Sequence, residues 1–243
     1  MLEQALRDLD LAGVRWELRG DTPATDGVTE NAAGNPTPAG PVPVPARAPV
    51  TVDMAVAAAA GAGDMPALMA AVRAFNHPLC AGAACAPMDL PTGSRDIVIV
   101  TDMPGADDAA AGHMCAGAAG DLLDKMLGAI GLSRDTAPIV PLLFWRTPGG
   151  RTPLDDELAL ARPFVDRAIE LLRPRVVLTL GTMAADKMAG VTLPDGHGQW
   201  VMRDTYRVMP IYHPNFLLLK TAAKRDAWSA LQDVQNLLKT SEK

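Results

Sequence analysis

Short apolar runs, each ending at a turn, alternate with longer amphipathic stretches through the second half of the chain. The runs are "DIVIVTD" (Asp96–Asp102), "APIVPLLFW" (Ala137–Trp145), "RVVLTLG" (Arg175–Gly181) and "YRVMPIYHP" (Tyr206–Pro214). Each is a short apolar run bounded by turn signals, which predicts buried strands. Between them, Gly117–Leu132 places Leu122, Leu123, Met126, Leu127 and Ile130 at helical spacing. Asp155–Leu172 reads as a helix with Pro153 suitably placed just ahead of it. Thr182–Ala189 and Lys224–Leu238 complete the helices. Such alternation predicts an α/β fold: a three-layer α/β/α sandwich around a central four-stranded, mostly parallel sheet.

The first half is patterned differently. Leu2, Leu6 and Leu9 share a helical face, so residues 1–19 read as a short N-terminal helix. Residues 20–52 form a Pro/Ala/Gly-rich linker, in which Pro36, Pro38, Pro41, Pro43, Pro45 and Pro49 forbid regular helix. Residues 53–94 are a helical lead-in and loop, with a helix over Met65–Phe75, and the main domain occupies 95–243. A length of 243 residues, 49% of them hydrophobic, allows one sizeable core with extensions. The Ala-rich stretch Val52–Ala62 is short and broken by glycine, so neither a membrane span nor a signal peptide is expected. Three cysteines, Cys80, Cys85 and Cys115, argue against a disulfide framework and for a cytoplasmic protein. A C-x4-C spacing without partners is a weak metal signature, and small buried or loop cysteines are the simpler reading. The net charge of −6 gives no general attraction to nucleic acid, so DNA binding would need a local basic patch.

Parallel sheets bind ligands at the carboxyl ends of their strands. Here those ends carry Thr101–Asp102, Trp145–Arg146, Gly181 and His213–Pro214. Asp102 and His213 either share a cleft as a carboxylate–imidazole pair, or cap a turn and bond a loop separately. Arg146 and Arg151 in "RTPGGRTP", with Lys220, Lys224 and Arg225 after His213, either line one basic rim or belong to solvated turns. Phe216 and Leu217 offer an apolar wedge, although Leu217 reads better as core. His113 reads as an exposed loop residue.

These segments also resemble a known family. "MPGADDAAAGHMCAGAAGDLLDKMLGAIGL" is similar to the first motif of the bacterial family 4 type uracil-DNA glycosylases. "WRTPGGRTPLDDELALARPF", "LRPRVVLTLGTMAADKMAG" and "YHPNFLLLKTAAKRDAW" resemble that family's following segments in order. "ALRDLDLAGVRW" resembles the leading helix of alphaproteobacterial members. The resemblance implies an enzyme that flips a base out of the stack and hydrolyses its N-glycosidic bond. Asp102 matches the acid of the first motif and His213 the histidine that stabilises the leaving base. Substrate contacts are implied at Thr101, Met103, Pro104, Gly105, Cys115, Pro141 and Leu142. DNA contacts are implied at Arg146, Arg151, Gly181, Pro214, Asn215, Lys220, Lys224 and Arg225.

The departures from the family pattern bear on activity. Cys115 stands where the family has a stacking Phe, and Pro141 where it has the Asn that reads uracil. Gly150 replaces another Asn. Proline has no amide with which to tell uracil from cytosine. Family 4 enzymes hold an iron–sulfur cluster on cysteines, yet here "HPLC" (His77–Cys80) keeps one Cys of the first pair. Trp145 and Ala161 stand at the other two positions, so no cluster and no metal is expected. Two readings follow: a glycosylase working through Asp102 and His213 on uracil or a related deaminated base, or a catalytically degenerate member that binds DNA or a protein partner. The expected partner is DNA, single- or double-stranded, bound weakly to moderately, by a monomer associated with the bacterial nucleoid. A protein partner on the N-terminal helix and linker is the alternative.

Overall fold

The computed structural model describes residues 50–81 and 89–240. The predicted N-terminal helix, all but the end of the linker, and Cys85 lie outside the described residues.

Among the described residues, five strands form one sheet in the order β2-β1-β3-β5-β4. They are β1 (Ile97–Thr101), β2 (Ile139–Pro141), β3 (Val176–Leu180), β4 (Val201–Met202) and β5 (Arg207–Ile211). The first, second, third and fifth are mutually parallel, and β4 runs antiparallel to β5 at the edge. The predicted mostly parallel sheet is therefore present, with one strand more than expected. That strand is two residues long and not buried, so no apolar run marks it.

Alternation along each strand assigns side chains to the two faces. Val98, Val100, Val140, Val177 and Val208 enter one core. Ile97, Ile99, Ile139, Val176, Leu178, Leu180, Met209 and Ile211 enter the other. The valine face is covered by α1 (Val52–Ala60), α2 (Met65–Ala74), α5 (Asp155–Leu172) and α6 (Thr182–Ala189). The opposite face is covered by α4 (Gly117–Ala129) and α8 (Lys224–Lys239). Two short helices, α3 (Asp108–Ala111) and α7 (Pro214–Leu219), sit in the loops after β1 and β5.

Two elements differ from their sequence pattern. The apolar run Ala137–Trp145 pairs in the sheet only over Ile139–Pro141. Leu142, Leu143, Phe144 and Trp145 leave the sheet but stay buried, because an apolar run reports burial and not backbone form. Pro141, which cannot donate a ladder bond, is tolerated because β2 is an edge strand. The Ala-rich stretch becomes helix α1, capped by the Thr51 hydroxyl, which accepts from the Met54 amide. Ala55 and Ala59 are small enough for it to pack closely on α5, and Arg167 of α5 donates through Nε and Nη2 to the Ala62 carbonyl. The chain runs from β1 outward to β2 and then back across to β3, so its direction reverses at β1. This switch point opens a crevice at the carboxyl ends of β1 and β3.

Candidate active site at the strand ends

In-register pairing brings the ends of β1, β3 and β5 level. Asp102 follows β1, Gly181 follows β3, and His213 follows β5 by two residues. Gly181 has φ +94°, a left-handed value that favours glycine. A Cβ there would lie 3.4 Å from His213 Cβ, 3.9 Å from His213 Cδ2 and 3.8 Å from Asp102 Oδ2. The carboxylate and the imidazole thus converge on a point that only a glycine leaves open.

Each of the pair is anchored through one atom and leaves another for chemistry. Asp102 Oδ1 accepts from the Ala184 amide at 3.1 Å, capping α6, whose own N-cap Gly181 has no side chain. Asp102 Oδ2 has no hydrogen-bond partner among the described residues. His213 Nδ1 accepts from the Asn215 amide at 3.1 Å, which places the proton of the neutral ring on Nε2. Burial pushes the Asp102 carboxyl up to about 6, against the smaller opposing effect of the Ala184 amide. Burial also lowers His213, partly offset by the charge of Asp108, so the ring is neutral at pH 7. Capping and cleft-lining are therefore both true of these two residues.

Asp102 and His213 line two clefts. One, of 430 Å³, also takes in Thr101, Met103, Pro104, Gly105, Cys115, Arg146 and Asn215. The other, of 480 Å³, takes in Gly181, Thr182, Tyr212 and Phe216. Pro141 lines neither; it lies in an adjoining hollow of 390 Å³ with Met114 and Phe144, and Pro104 borders both that hollow and the first cleft. Leu142 and Pro214 are buried. Asn215 is the one amide side chain lining the first cleft among the described residues.

The basic residues divide. Arg146 donates through Nη1 to the Pro104 carbonyl and lies at the cleft rim. Arg151 is engaged elsewhere, in a bidentate pair with Glu157 at 2.9 and 2.5 Å. Lys220, Lys224 and Arg225 are exposed at and after the end of α7.

Asp108 had no assigned role in the sequence pattern, yet it organises the cleft wall. Its carboxylate accepts from the amides of Gly105 (2.7 Å), Cys115 (3.1 Å) and Ala116 (2.7 Å). Cys115 sits at φ +54°, a strained value for a residue with a Cβ. Burial, then the nearby Asp108 charge, pushes its thiol up to about 11. Arg134 clasps the same loop from behind, donating to the carbonyls of Met114 and Cys115. Gly120 permits this fit: a Cβ there would lie 1.8 Å from the Cys115 carbonyl oxygen. Gly120→Ala must displace backbone and is expected to cost about 2–3 kcal/mol, read as a Tm lower by about 4–12 °C in a thermal melt.

A second cluster lies where the family 4 resemblance would place its cysteines. His77 is buried and stacks on Trp145 with ring centroids 4.2 Å apart. Its Nδ1 accepts from the Leu79 amide, and its Nε2 lies 3.0 Å from the Glu157 carbonyl, to which it donates. Ala161 is fully buried, and Phe75 packs on both His77 and Phe164. Both nitrogens of His77 are committed, and Trp145 and Ala161 supply no metal donor. These residues do not fit an iron–sulfur cluster. Rings and a methyl group fill the space instead.

The fold and the strand-end pair define a class: a three-layer α/β protein with a carboxylate and an imidazole at the carboxyl ends of parallel strands. Comparison with known proteins narrows it. The uracil DNA glycosylase superfamily pattern matches residues 87–234. A type-4 uracil-DNA glycosylase of Archaeoglobus fulgidus is 30% identical over 152 residues, covering 58% of this chain and 76% of that protein. Its counterpart in Sulfurisphaera tokodaii is 31% identical over 130 residues, covering 49% of this chain and 59% of that protein. The Thermotoga maritima counterpart is 31% identical over 128 residues, covering 50% and 66%. The chain belongs to the uracil DNA glycosylase superfamily and is of the family 4 type.

Proposed function

We propose that this protein is a DNA repair glycosylase that hydrolyses the N-glycosidic bond of a flipped, deaminated base. The observation that supports this most is the convergence of Asp102 and His213 on Gly181, each with one atom uncommitted. As the bond to the base lengthens, positive charge grows on the sugar and negative charge on the base. The Asp102 carboxylate favours the first and orients water through Oδ2. His213 Nε2–H donates to the base oxygen that gains negative charge, which stabilises the departing anion. A neutral ring suits this role, because burial disfavours imidazolium. Asn215 takes the pairing edge of the base in place of Pro141, since its amide carries both a donor and an acceptor. Lys220, Lys224, Arg225 and the rim residue Arg146 take backbone phosphates.

The proposal fixes a pH dependence. Asp102 must be anionic, and its carboxyl is raised to about 6. Single-turnover excision is therefore expected to be flat above about pH 7 and to fall about tenfold per unit below about pH 6. His213, lowered from its ordinary value, adds no loss at neutral pH. The test uses oligonucleotides carrying uracil, hypoxanthine or xanthine, with alkaline cleavage of the abasic product. A rate independent of pH between 5 and 8 would contradict the assignment of Asp102.

One observation favours a second reading. Cys115 and Pro141 line different cavities, and neither offers a pairing-edge group. If no base is excised at high protein concentration, the chain is a degenerate member that binds DNA without cutting it, or binds a protein partner through residues 1–52.

A further inference from the structure

The end of the sheet opposite the Asp102–His213 pair carries a groove with a different chemistry. It is a hollow of 510 Å³, lined by Arg175, Arg203 and Arg207 together with Met202, Tyr206 and Leu237. Two of these arginines also hold the fold. Arg175 donates through Nη2 to the Leu237 carbonyl near the end of α8, and Arg203 donates through Nε to the Met188 carbonyl near the end of α6. Neither Nη of Arg203, and no nitrogen of the exposed Arg207 guanidinium, is hydrogen-bonded among the described residues. The groove also runs along a free sheet edge. The Arg207 amide donates to the Arg175 carbonyl at 3.0 Å, so Arg207 turns its backbone groups toward β3. The carbonyls of Tyr206 and Pro210 accept from Arg203 and Gly198, so the alternate residues face the other way. Met202 is the register partner of Arg207. It therefore turns its own N–H and C=O away from β5, to the outer edge. Among the described residues no strand pairs with that edge, and the Met202 side chain is 64% exposed.

We propose that this groove is a docking site for an acidic, extended peptide segment of a partner protein, which adds a strand to β4 and sets its carboxylates on Arg203 and Arg207. The inference is independent of the glycosylase reading. Main-chain hydrogen bonds to the outward N–H and C=O of Met202 fix the register of such a segment, and its alternating side chains meet separate walls. Carboxylates pair with guanidinium forks in charge-assisted, bidentate geometry. An apolar side chain of the segment covers Met202, Leu237 and the Tyr206 ring. The three cations are concentrated here on a chain of net charge −6, and Asp204 is the one acidic residue lining the hollow. Beyond Thr205 and Tyr206 the next hollow carries Asp166 and Glu170 beside Arg173, so an acidic segment is held at the β4 end. A nucleic-acid backbone fits less well. The length of β5, roughly 17 Å, separates Arg207 from the catalytic strand ends, and an edge N–H beside a C=O matches another peptide and not a phosphodiester.

The test is fluorescence anisotropy on the full chain with a labelled short peptide of alternating aspartate and valine. Wild type is expected to bind it in the micromolar range. Arg207→Glu is expected to weaken binding by about tenfold or more. Arg225→Glu makes the same charge change at the other end of α8 and is expected to alter binding by less than about twofold. Met202→Pro removes the outward N–H without removing a bond to β5, and is expected to weaken binding by about tenfold. The same peptide with lysine in place of aspartate, and an oligothymidylate of equal charge, should not compete. Equal losses in Arg207→Glu and Arg225→Glu would overturn the docking site, because the peptide would then sense net charge alone. Undiminished binding by Met202→Pro would overturn strand addition. Competition by the oligothymidylate that disappears in Arg207→Glu would assign the groove to nucleic acid and overturn the peptide. No binding by wild type at about 1 mM peptide would overturn the proposal outright. Arg207 is exposed and makes no side-chain bond among the described residues, so Arg207→Glu is expected to fold, and it carries the test if circular dichroism shows Met202→Pro unfolded.

Discussion

Asp102→Asn is expected to abolish base excision and, at the same time, to make the protein more stable at neutral pH. The two effects have one cause. In the folded state burial raises the Asp102 carboxyl to about 6, from an ordinary value of 3.8. The folded state thus binds the proton more tightly than the unfolded chain. Above about pH 6 the ionised side chain opposes folding by the full shift, and below about pH 4 the penalty is gone. Each unit corresponds to about 1.4 kcal/mol, so an uncharged isostere gains about 2 kcal/mol at pH 7.5, after allowance for partial solvent access. Asparagine keeps the oxygen that accepts from the Ala184 amide. Excision should fall by about 10²–10⁴-fold, because no anion remains to face the cationic sugar or hold the water. Urea denaturation at pH 7.5 and pH 4.5 checks the stability half: the gain should be present in full at the first pH and cut to about a third at the second. A variant less stable than wild type at pH 7.5 would show that the carboxylate is structural and not poised for chemistry.

Trp145→Ala is expected to destabilise the fold by about 3–5 kcal/mol, and iron is expected to be irrelevant to that stability. Trp145 is 1% exposed and sits among Phe75, His77 and Phe144, tying the segment after α2 to the loop after β2. Its indole Nε1 has no hydrogen-bond partner among the described residues. Trp145→Phe therefore keeps the stacking, removes an unsatisfied buried donor, and should cost under about 1.5 kcal/mol. Metal analysis and visible absorption of the purified protein test the same point independently. The packing requires less than stoichiometric iron and no charge-transfer band, and chelator should leave the Tm unchanged. Stoichiometric iron released on unfolding would mean that the aromatic packing had been misread.

The strands of this fold were legible because a parallel sheet buries both faces, so its strands appear as unbroken apolar runs. For the same reason the run through Trp145 overstated β2: burial continues after pairing stops. The edge strand β4 was hidden by its exposure, whereas helix α1 falls in the segment read as a helical lead-in, its Ala-rich composition leaving only its bounds unmarked. At the site, the strand ends and the family resemblance point to Asp102 and His213 from sequence alone, and the topological reversal at β1 appears only in the fold. What the sequence could not show is which atoms remain free. The bond from Ala184 to Asp102 Oδ1 and the bond from Asn215 to His213 Nδ1 depend on elements folding onto one another. Asp108 was passed over as one of several acidic and alanine residues in a loop. Its role as acceptor for Gly105, Cys115 and Ala116 exists only once α3 forms. Arg151, by contrast, read as a phosphate contact, and its guanidinium is held by Glu157 one helical turn into α5.

Comparison of wild type with His213→Ala in a gel-based excision assay, on single-stranded and duplex oligonucleotides with one uracil, tests the central claim most directly. Wild type is expected to yield alkali-labile sites. His213→Ala, folded to the same Tm within a few degrees, is expected to be slower by about 10²–10³-fold, the usual loss for removing one donor to a developing anion. Cleavage by His213→Ala at the wild-type rate would contradict the account, because the imidazole at the end of β5 would then have no part in releasing the base.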